Sequence, residues 1–289
     1  MIKLRQKRRV SVNGVEEVNS ITFNPTFSTF PGGEEHVRIY GIVPGEPVDI
    51  EAKVRSSSDL MRLLLCMNAI EEAGSWWNTL YLPYLPYARQ DRICNPGEAN
   101  SLKLLLDLMT VTRCNSTGTL HQIVSMDVHN PTVLPHERNI TLAELLESGK
   151  MGDYKERYQG YFVVSPDAGS CERSEEVAQL LGAPVVQATK VRDTYGKITG
   201  TAMEPTLRGS KFLIVDDICD GGRTFTEIAK ILRERDAEKV ELLVTHGIFS
   251  KGFQVFQGLI DHITTTDSFC DMISTDFVTV HSVGFGEDI

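Results

Sequence analysis

The run from Lys211 to Arg235 constrains the fold more than any other stretch of the 289 residues. An apolar segment, Lys211-Phe-Leu-Ile-Val215, leads into the adjacent acids Asp216 and Asp217. A turn from Asp216 to Gly222 follows, and helical apolar spacing runs from Thr224 to Arg235. A short apolar run bounded by turn residues is the pattern of a strand buried on both faces, and such strands need helices on each side of their sheet. Further runs at Tyr161–Val164, Val240–Thr245 and Leu259–Thr264, with a helical stretch at Glu172–Leu181 that stops at Gly182, extend the alternation. The first half repeats it more weakly. Leu60, Leu63, Leu64, Met67 and Ile70 share one helical face within Asp59–Ala73, with a cap expected at Ser57 or Ser58. A strand at Thr79–Leu82, a helix at Ser101–Thr110 and a strand at Ile123–Met126 follow. The expected class is α/β, with mainly parallel sheets flanked by helices and ligands bound outside the carboxyl ends of the strands.

The length exceeds that of a typical single domain. The polar, proline-bearing stretch Pro131–Asn139 marks the expected boundary, dividing the chain into domains 1–140 and 141–289. With 41% hydrophobic and 24% charged residues, a folded chain is expected throughout. A net charge of -10 argues against a partner held by a general nucleic-acid-binding field and leaves small anionic ligands open. The basic start, Met1 to Arg9, lacks the apolar stretch of a secretory signal. No stretch approaches the roughly 18 apolar residues of a membrane span. Cys66, Cys94, Cys114, Cys171, Cys219 and Cys270 are widely spaced, as reduced thiols are. The expected compartment is the cytoplasm.

Chemistry concentrates at the strand ends. The paired acids Asp216 and Asp217 can accept hydrogen bonds from vicinal ribose hydroxyls. Gly221 and Gly222 let backbone N–H groups turn inward beside a helix N-terminus, where a phosphate is favoured, and the Thr224 hydroxyl can donate one more bond. The competing reading is a tight strand-to-helix turn and nothing more. Lys190 and Arg192 alternate on a polar segment running to Gly200, so both can address one phosphate chain, or form a solvated basic loop. Asp127-Val-His129 ends an apolar strand, where side chains two apart face the same way. His129 and Asp167 could hold magnesium, mostly through phosphates and water. Asp167 could equally be a helix N-cap. Trp76, Trp77, Tyr81, Tyr84 and Tyr87 read as packing residues rather than a base-stacking platform.

The Phe212–Phe225 segment resembles the phosphoribosyl-diphosphate loop of the type I phosphoribosyltransferase fold. Tyr81-Leu-Pro-Tyr-Leu-Pro-Tyr-Ala-Arg-Gln-Asp-Arg92 is similar to the ATP segment of the ribose-phosphate pyrophosphokinase family. Phe30-Pro-Gly-Gly-Glu34 resembles that family's nucleotide-base segment and Met126-Asp-Val-His129 its metal-associated histidine. Val164–Gly169 resembles its sugar-side strand end, Thr189-Lys-Val-Arg192 its Lys-x-Arg flap and Thr245–Ser250 a late strand signature. The resemblance implies two phosphoribosyltransferase-like domains, the first on the ATP side and the second on the sugar-phosphate side. It also implies a magnesium-dependent transfer of the β,γ-diphosphate of ATP to the C1 hydroxyl of ribose 5-phosphate. ATP would meet Glu34, Arg89, Gln90, Asp91 and His129. The sugar phosphate would meet Asp167, Asp216, Asp217, Asp220, Gly221, Gly222, Arg223 and Thr224. Lys190 and Arg192 would be catalytic, with His129 and Asp167 at the metal. Subunit association, as a dimer or larger ring, is implied as well.

Three departures from the family pattern stand out. The turn reads Asp220-Gly-Gly-Arg-Thr224 where the family has Asp-Thr-Gly-Gly-Thr, which loses a threonine and introduces Arg223. Gly32 replaces an Asp or Asn of the nucleotide segment, and Asn130–Pro135 replaces a Gln-Ile-Gln-Gly-Phe-Phe run. A guanidinium can take an extra phosphate, so ADP-ribose is the alternative acceptor. A plain phosphoribosyltransferase would not need the Arg89–Arg92 half. A non-catalytic paralogue would have lost Lys190, Arg192, His129 and Asp167, all of which are present.

Overall fold

The structure is a computed structural model that describes residues 1–12, 15–111, 122–133, 138–192, 198–203, 210–269 and 271–284. The chain divides into two compact units, one built on Met1–Asn139 together with Gly284 and the other on Ile140–Val283.

In the first unit the elements run β1 (Ile2–Val12), β2 (Val15–Phe23), β3 (Thr26–Thr29), β4 (Glu35–Arg38), β5 (Pro47–Ala52), α1 (Ser57–Glu72), β6 (Trp76–Leu82), α2 (Ser101–Val111), β7 (Gln122–Met126) and β8 (Arg138–Ile140). The main sheet has the order β2-β1-β5-β6-β7-β8, and β3 and β4 form a separate two-stranded ribbon. β5, β6 and β7 are parallel, whereas β1 pairs antiparallel with both β2 and β5. The core sets Leu4, Val48, Ile50, Trp77 and Leu80 of the sheet against Leu63, Met67 and Ile70 of α1 and Leu102, Leu105 and Met109 of α2. Each fully buried Leu, Ile or Met side chain in such a core contributes about 1.5–3 kcal/mol. Trp77 is therefore a packing residue. The α1 cap is Ser56 rather than Ser57 or Ser58: its side chain accepts from Asp59 N, which satisfies one of the orphan donors of the first turn.

The second unit contains α3 (Leu142–Glu147), α4 (Tyr154–Arg157), β9 (Tyr161–Ser165), α5 (Cys171–Leu181), β10 (Val185–Arg192), β11 (Ile198–Met203), β12 (Lys211–Cys219), α6 (Arg223–Arg233), β13 (Lys239–Gly247), β14 (His262–Thr266) and β15 (Val278–His281). Its sheet is ordered β11-β10-β9-β12-β13-β14-β15 and is parallel except for β11. Thr141 and Glu144 form a capping box at the start of α3. β12 does not end at Val215. Its ladder with β13 continues through Asp216 to Cys219, because a partner strand supplies hydrogen bonds whether or not the side chains are apolar. Among the described residues no helix is long and apolar enough to cross a membrane. Cys66, Cys94, Cys171 and Cys219 are free thiols, while Cys114 and Cys270 lie outside the described residues.

Candidate active site

In the second unit, parallel register brings the acids together. Ile214 lies beside Val164, and three residues further on come Asp217, still within β12, and Asp167, two residues past the end of the neighbouring β9. Asp167 caps the short 3-10 turn Ala168–Ser170: its carboxylate accepts from Gly169 N at 3.0 Å, and the Ser170 hydroxyl closes the reciprocal bond to Asp167 N at 3.2 Å. This turn leads into α5, whose Arg173 approaches Asp216 at 3.7 Å and Asp217 at 4.0 Å. Arg173 was not expected from the sequence. A lone arginine in a helical stretch looks like part of a solvated face, and only the packing of α5 on β12 gives it this role.

Burial pushes the Asp216 carboxyl well above its ordinary value of 3.8, the charge of Asp217 adds to the rise, and Arg173 opposes it. Above pH 3.8 the native state therefore holds this proton more tightly than the unfolded chain does. Stability contributed here falls as pH rises through the native value. Asp216→Asn should accordingly melt at a higher temperature than the parent at pH 7, with the gap closing as pH approaches 4. Thermal melts at both pH values check this, and an unchanged or lowered midpoint at pH 7 would contradict it.

Beyond the acids, Gly222 occupies the N-cap of α6 in a left-handed conformation, φ 74°, and the helix has no side-chain cap. By contrast, α1 and α3 are capped by Ser56 and Thr141. The first N–H groups of α6 are left for solvent or an anion. The turn is fastened from behind: Ile248 N and Phe249 N donate to Cys219 O, and Ser250 N to Asp220 O. Gly221 lies beneath the aliphatic chain of Lys251. Thr224 is half-buried beside the turn. Arg223 was expected to intrude on the phosphate-binding turn. Instead its side chain is 81% exposed at the first position of α6, held by Glu227 at 2.7 Å one turn along the helix.

The Lys190 and Arg192 side chains lie outside the described residues. Their backbone belongs to an antiparallel ribbon in which Lys190 lies opposite Thr201 and Arg192 opposite Ile198. β10 joins the sheet where Gln187 pairs with Ser165, so its later residues run beyond the end of β9, on the side of the acids.

In the first unit four of the five expected ATP residues, Arg89, Gln90, Asp91 and His129, follow the ends of β6 and β7. Asn130 Nδ2 donates to Asp91 at 2.7 Å, and Met126 N to Pro83 O at 3.1 Å, which ties the Tyr81–Arg92 segment to the one following β7. Gln90 accepts from the Ser101 hydroxyl at 2.6 Å at the start of α2. Arg89, Gln90 and His129 are exposed along this edge. Asp127 and His129 do not share a face as expected. Asp127 is left-handed, φ 39°, which ends the strand alternation and leaves Asp127 buried while His129 is exposed. Glu34 is exposed at the tip of the β3–β4 ribbon beside Phe30, which is itself 53% exposed. The neighbouring Glu35 anchors that ribbon to α1 by accepting from Ser58 and, at 2.8 Å, from Arg62; these bonds hold its carboxyl below the ordinary value.

Comparison with known proteins accounts for both halves. Residues 2–112 match the N-terminal domain of ribose phosphate pyrophosphokinase, and residues 141–252 match the phosphoribosyl transferase domain. A ribose-phosphate pyrophosphokinase from Hyphomonas neptunium is 31% identical over 248 residues, covering 83% of this chain and 77% of that protein. The chain belongs to the ribose-phosphate pyrophosphokinase family. Membership makes it an enzyme of the transferase class. The Pyrococcus abyssi ribose-phosphate pyrophosphokinase is 28% identical over 271 residues, covering 91% of this chain and 90% of its own. The crystal structure of phosphoribosylpyrophosphate synthetase from Mycobacterium smegmatis superposes with a TM-score of 0.74 at 26% identity, covering 90% of this chain and 86% of that one. A fold of two phosphoribosyltransferase-like domains is common to the ribose-phosphate pyrophosphokinase family and to this chain.

Proposed function

We propose that this enzyme transfers the β,γ-diphosphate of ATP to the C1 hydroxyl of ribose 5-phosphate, giving phosphoribosyl diphosphate and AMP. The observation that carries the reading is the pairing of Asp216 and Asp217 with an α6 start that no side chain caps, in a member of this family. Carboxylates that accept from a diol and N–H groups that receive a phosphate are what a ribose phosphate needs at its two ends.

In the proposed reaction the C1 oxygen attacks the β-phosphorus in line, the bond from that phosphorus to the α–β bridging oxygen breaks, and AMP leaves with the bridging oxygen and its electron pair. The hydroxyl proton passes to solvent. Such transfers ask the protein chiefly for alignment and charge stabilisation. Asp216, Asp217, Asp220, Gly221, Gly222 and Thr224 hold the sugar phosphate in this scheme, and Glu34, Arg89, Gln90 and Asp91 hold ATP. Lys190 and Arg192 stabilise charge on the transferred group. Magnesium belongs to the same proposal, and the acidic sugar side suits it: Asp216 is raised by burial and by its charged neighbour, which a cation would relieve. His129 and Asp167 are its candidate protein contacts, and the ion would supply neutralisation of the phosphates. Subunit association also remains part of the proposal, with the exposed Phe30 and Glu34 tip as the element able to reach a neighbour.

ADP-ribose is the second acceptor to consider. The 81% exposed Arg223 guanidinium could leave Glu227 for a further phosphate. Incubation with magnesium, γ-labelled ATP and each sugar separately decides between them. Label should move to ribose 5-phosphate with equimolar AMP release. Label freed as inorganic phosphate would reject diphosphoryl transfer, and AMP release with ADP-ribose alone would replace the acceptor.

A further inference from the structure

The face of the first sheet opposite α1 and α2 bears a second concentration of charge. Along β1, Ile2, Leu4 and Gln6 are buried, and the alternate residues Lys3, Arg5 and Lys7 line a cavity of about 800 Å³. That volume lies in the range of small-molecule sites. Alternate positions on a strand stand about 6.8 Å apart, so the three cations address an extended charge rather than a point.

Two further features mark the cavity as built for an anion. Val48 pairs with Trp77 and Ile50 with Leu80, so β6 carries one residue more than β5 over this stretch. This bulge sets the adjacent residues Asn78 and Thr79 both in the lining, where regular alternation would have turned one of them inward. Across β1, Ser20 and Thr22 add hydroxyl donors from β2. Among the described residues the lining holds a single carboxylate, Asp49, which lies 3.6 Å from Arg5. Glu51, buried opposite Lys3 on β5, adjoins the lining, and three cations against these two acids still leave a local positive excess in a chain of net charge -10. Gln122, the first residue of β7, borders the cavity, whereas Asp127 and His129 follow the other end of that strand.

We propose that this cavity is a binding site for a small molecule carrying two or three phosphates, separate from the Arg89 edge. The probes are inorganic tripolyphosphate and ADP, titrated calorimetrically into the whole chain, its Lys3→Ala/Lys7→Ala variant and a Thr22→Glu variant. Both variants should lose one binding step, or weaken it at least tenfold, while circular dichroism spectrum and basal turnover stay as in the parent. Thr22→Glu places a carboxylate in the exposed mouth with all three cations intact, so it tests the site even where the double variant fails to fold. Tighter binding of ADP than of tripolyphosphate at this step would assign the cavity to a nucleotide, and the reverse order to a bare polyphosphate chain. Unchanged stoichiometry and affinity in the folded variants would overturn the proposal. So would a fall in turnover matching the loss of binding, because the cations would then belong to the reaction itself.

Discussion

Lys190→Ala is expected to lower turnover by about two to three orders of magnitude, the usual loss when one preorganised stabiliser of transition-state charge is removed. The Michaelis constants should move less, since a cation that acts on charge developing at the β-phosphorus contributes little to ground-state binding. Position 190 lies on a ribbon whose root pairs with β9 beside the Asp167 turn, so the backbone leads from the sheet toward the acids. Steady-state and single-turnover rates with saturating ATP and sugar phosphate measure the effect. Near-normal turnover would refute the assignment. A raised Michaelis constant with unchanged turnover would make Lys190 a binding residue only.

Gly222→Ala should cost about 2–5 kcal/mol of stability, and with it roughly 5–15 °C of melting temperature. Gly222 sits at φ 74°, where a Cβ is strained, and that Cβ would lie 2.4 Å from Cζ of Phe256. The ring cannot yield easily, since Phe256 is fully buried in the core of the second unit and packs edge-on against Phe249. Relief must come from the turn itself, which would displace the start of α6 and the N–H groups offered to a phosphate. Differential scanning calorimetry, with binding of the sugar phosphate as a second reading, checks this. A variant that melts like the parent would show that the turn adapts.

Much of the second unit was legible in the sequence. β9, β12 and β13 are short apolar runs because both their faces are buried, and α5 and α6 announce themselves by spacing and by Gly182 and Gly222 at their ends. The β1–β2 hairpin was not legible. Lys3, Arg5 and Lys7 do alternate with Ile2, Leu4 and Gln6, yet the inward residue at position 6 is polar, and the stretch looks like a basic tail. Gln6 is tolerated at 0% exposure because its amide bonds Val43 O, Glu46 O and Val43 N, partners some forty residues away that no local pattern reveals. The same limit applies to Arg173, whose meaning depends on a strand that comes later in the chain. The exposed placement of Arg223 was missed for a simpler reason. Its position in the turn was clear, but Glu227, one helical turn on, offered the guanidinium a partner along the helix surface.

β10 is fastened to the main sheet only at its first positions, Val185 to Gln187, and from Ala188 onward it bonds β11 alone. A beam clamped at one end and stiffened along its length can tilt about the clamp while the five strands behind it, β9, β12, β13, β14 and β15, stay intact. In the proposed reaction such a tilt would carry positions 190 and 192 toward the phosphates being transferred, and release of the products would let the beam swing back.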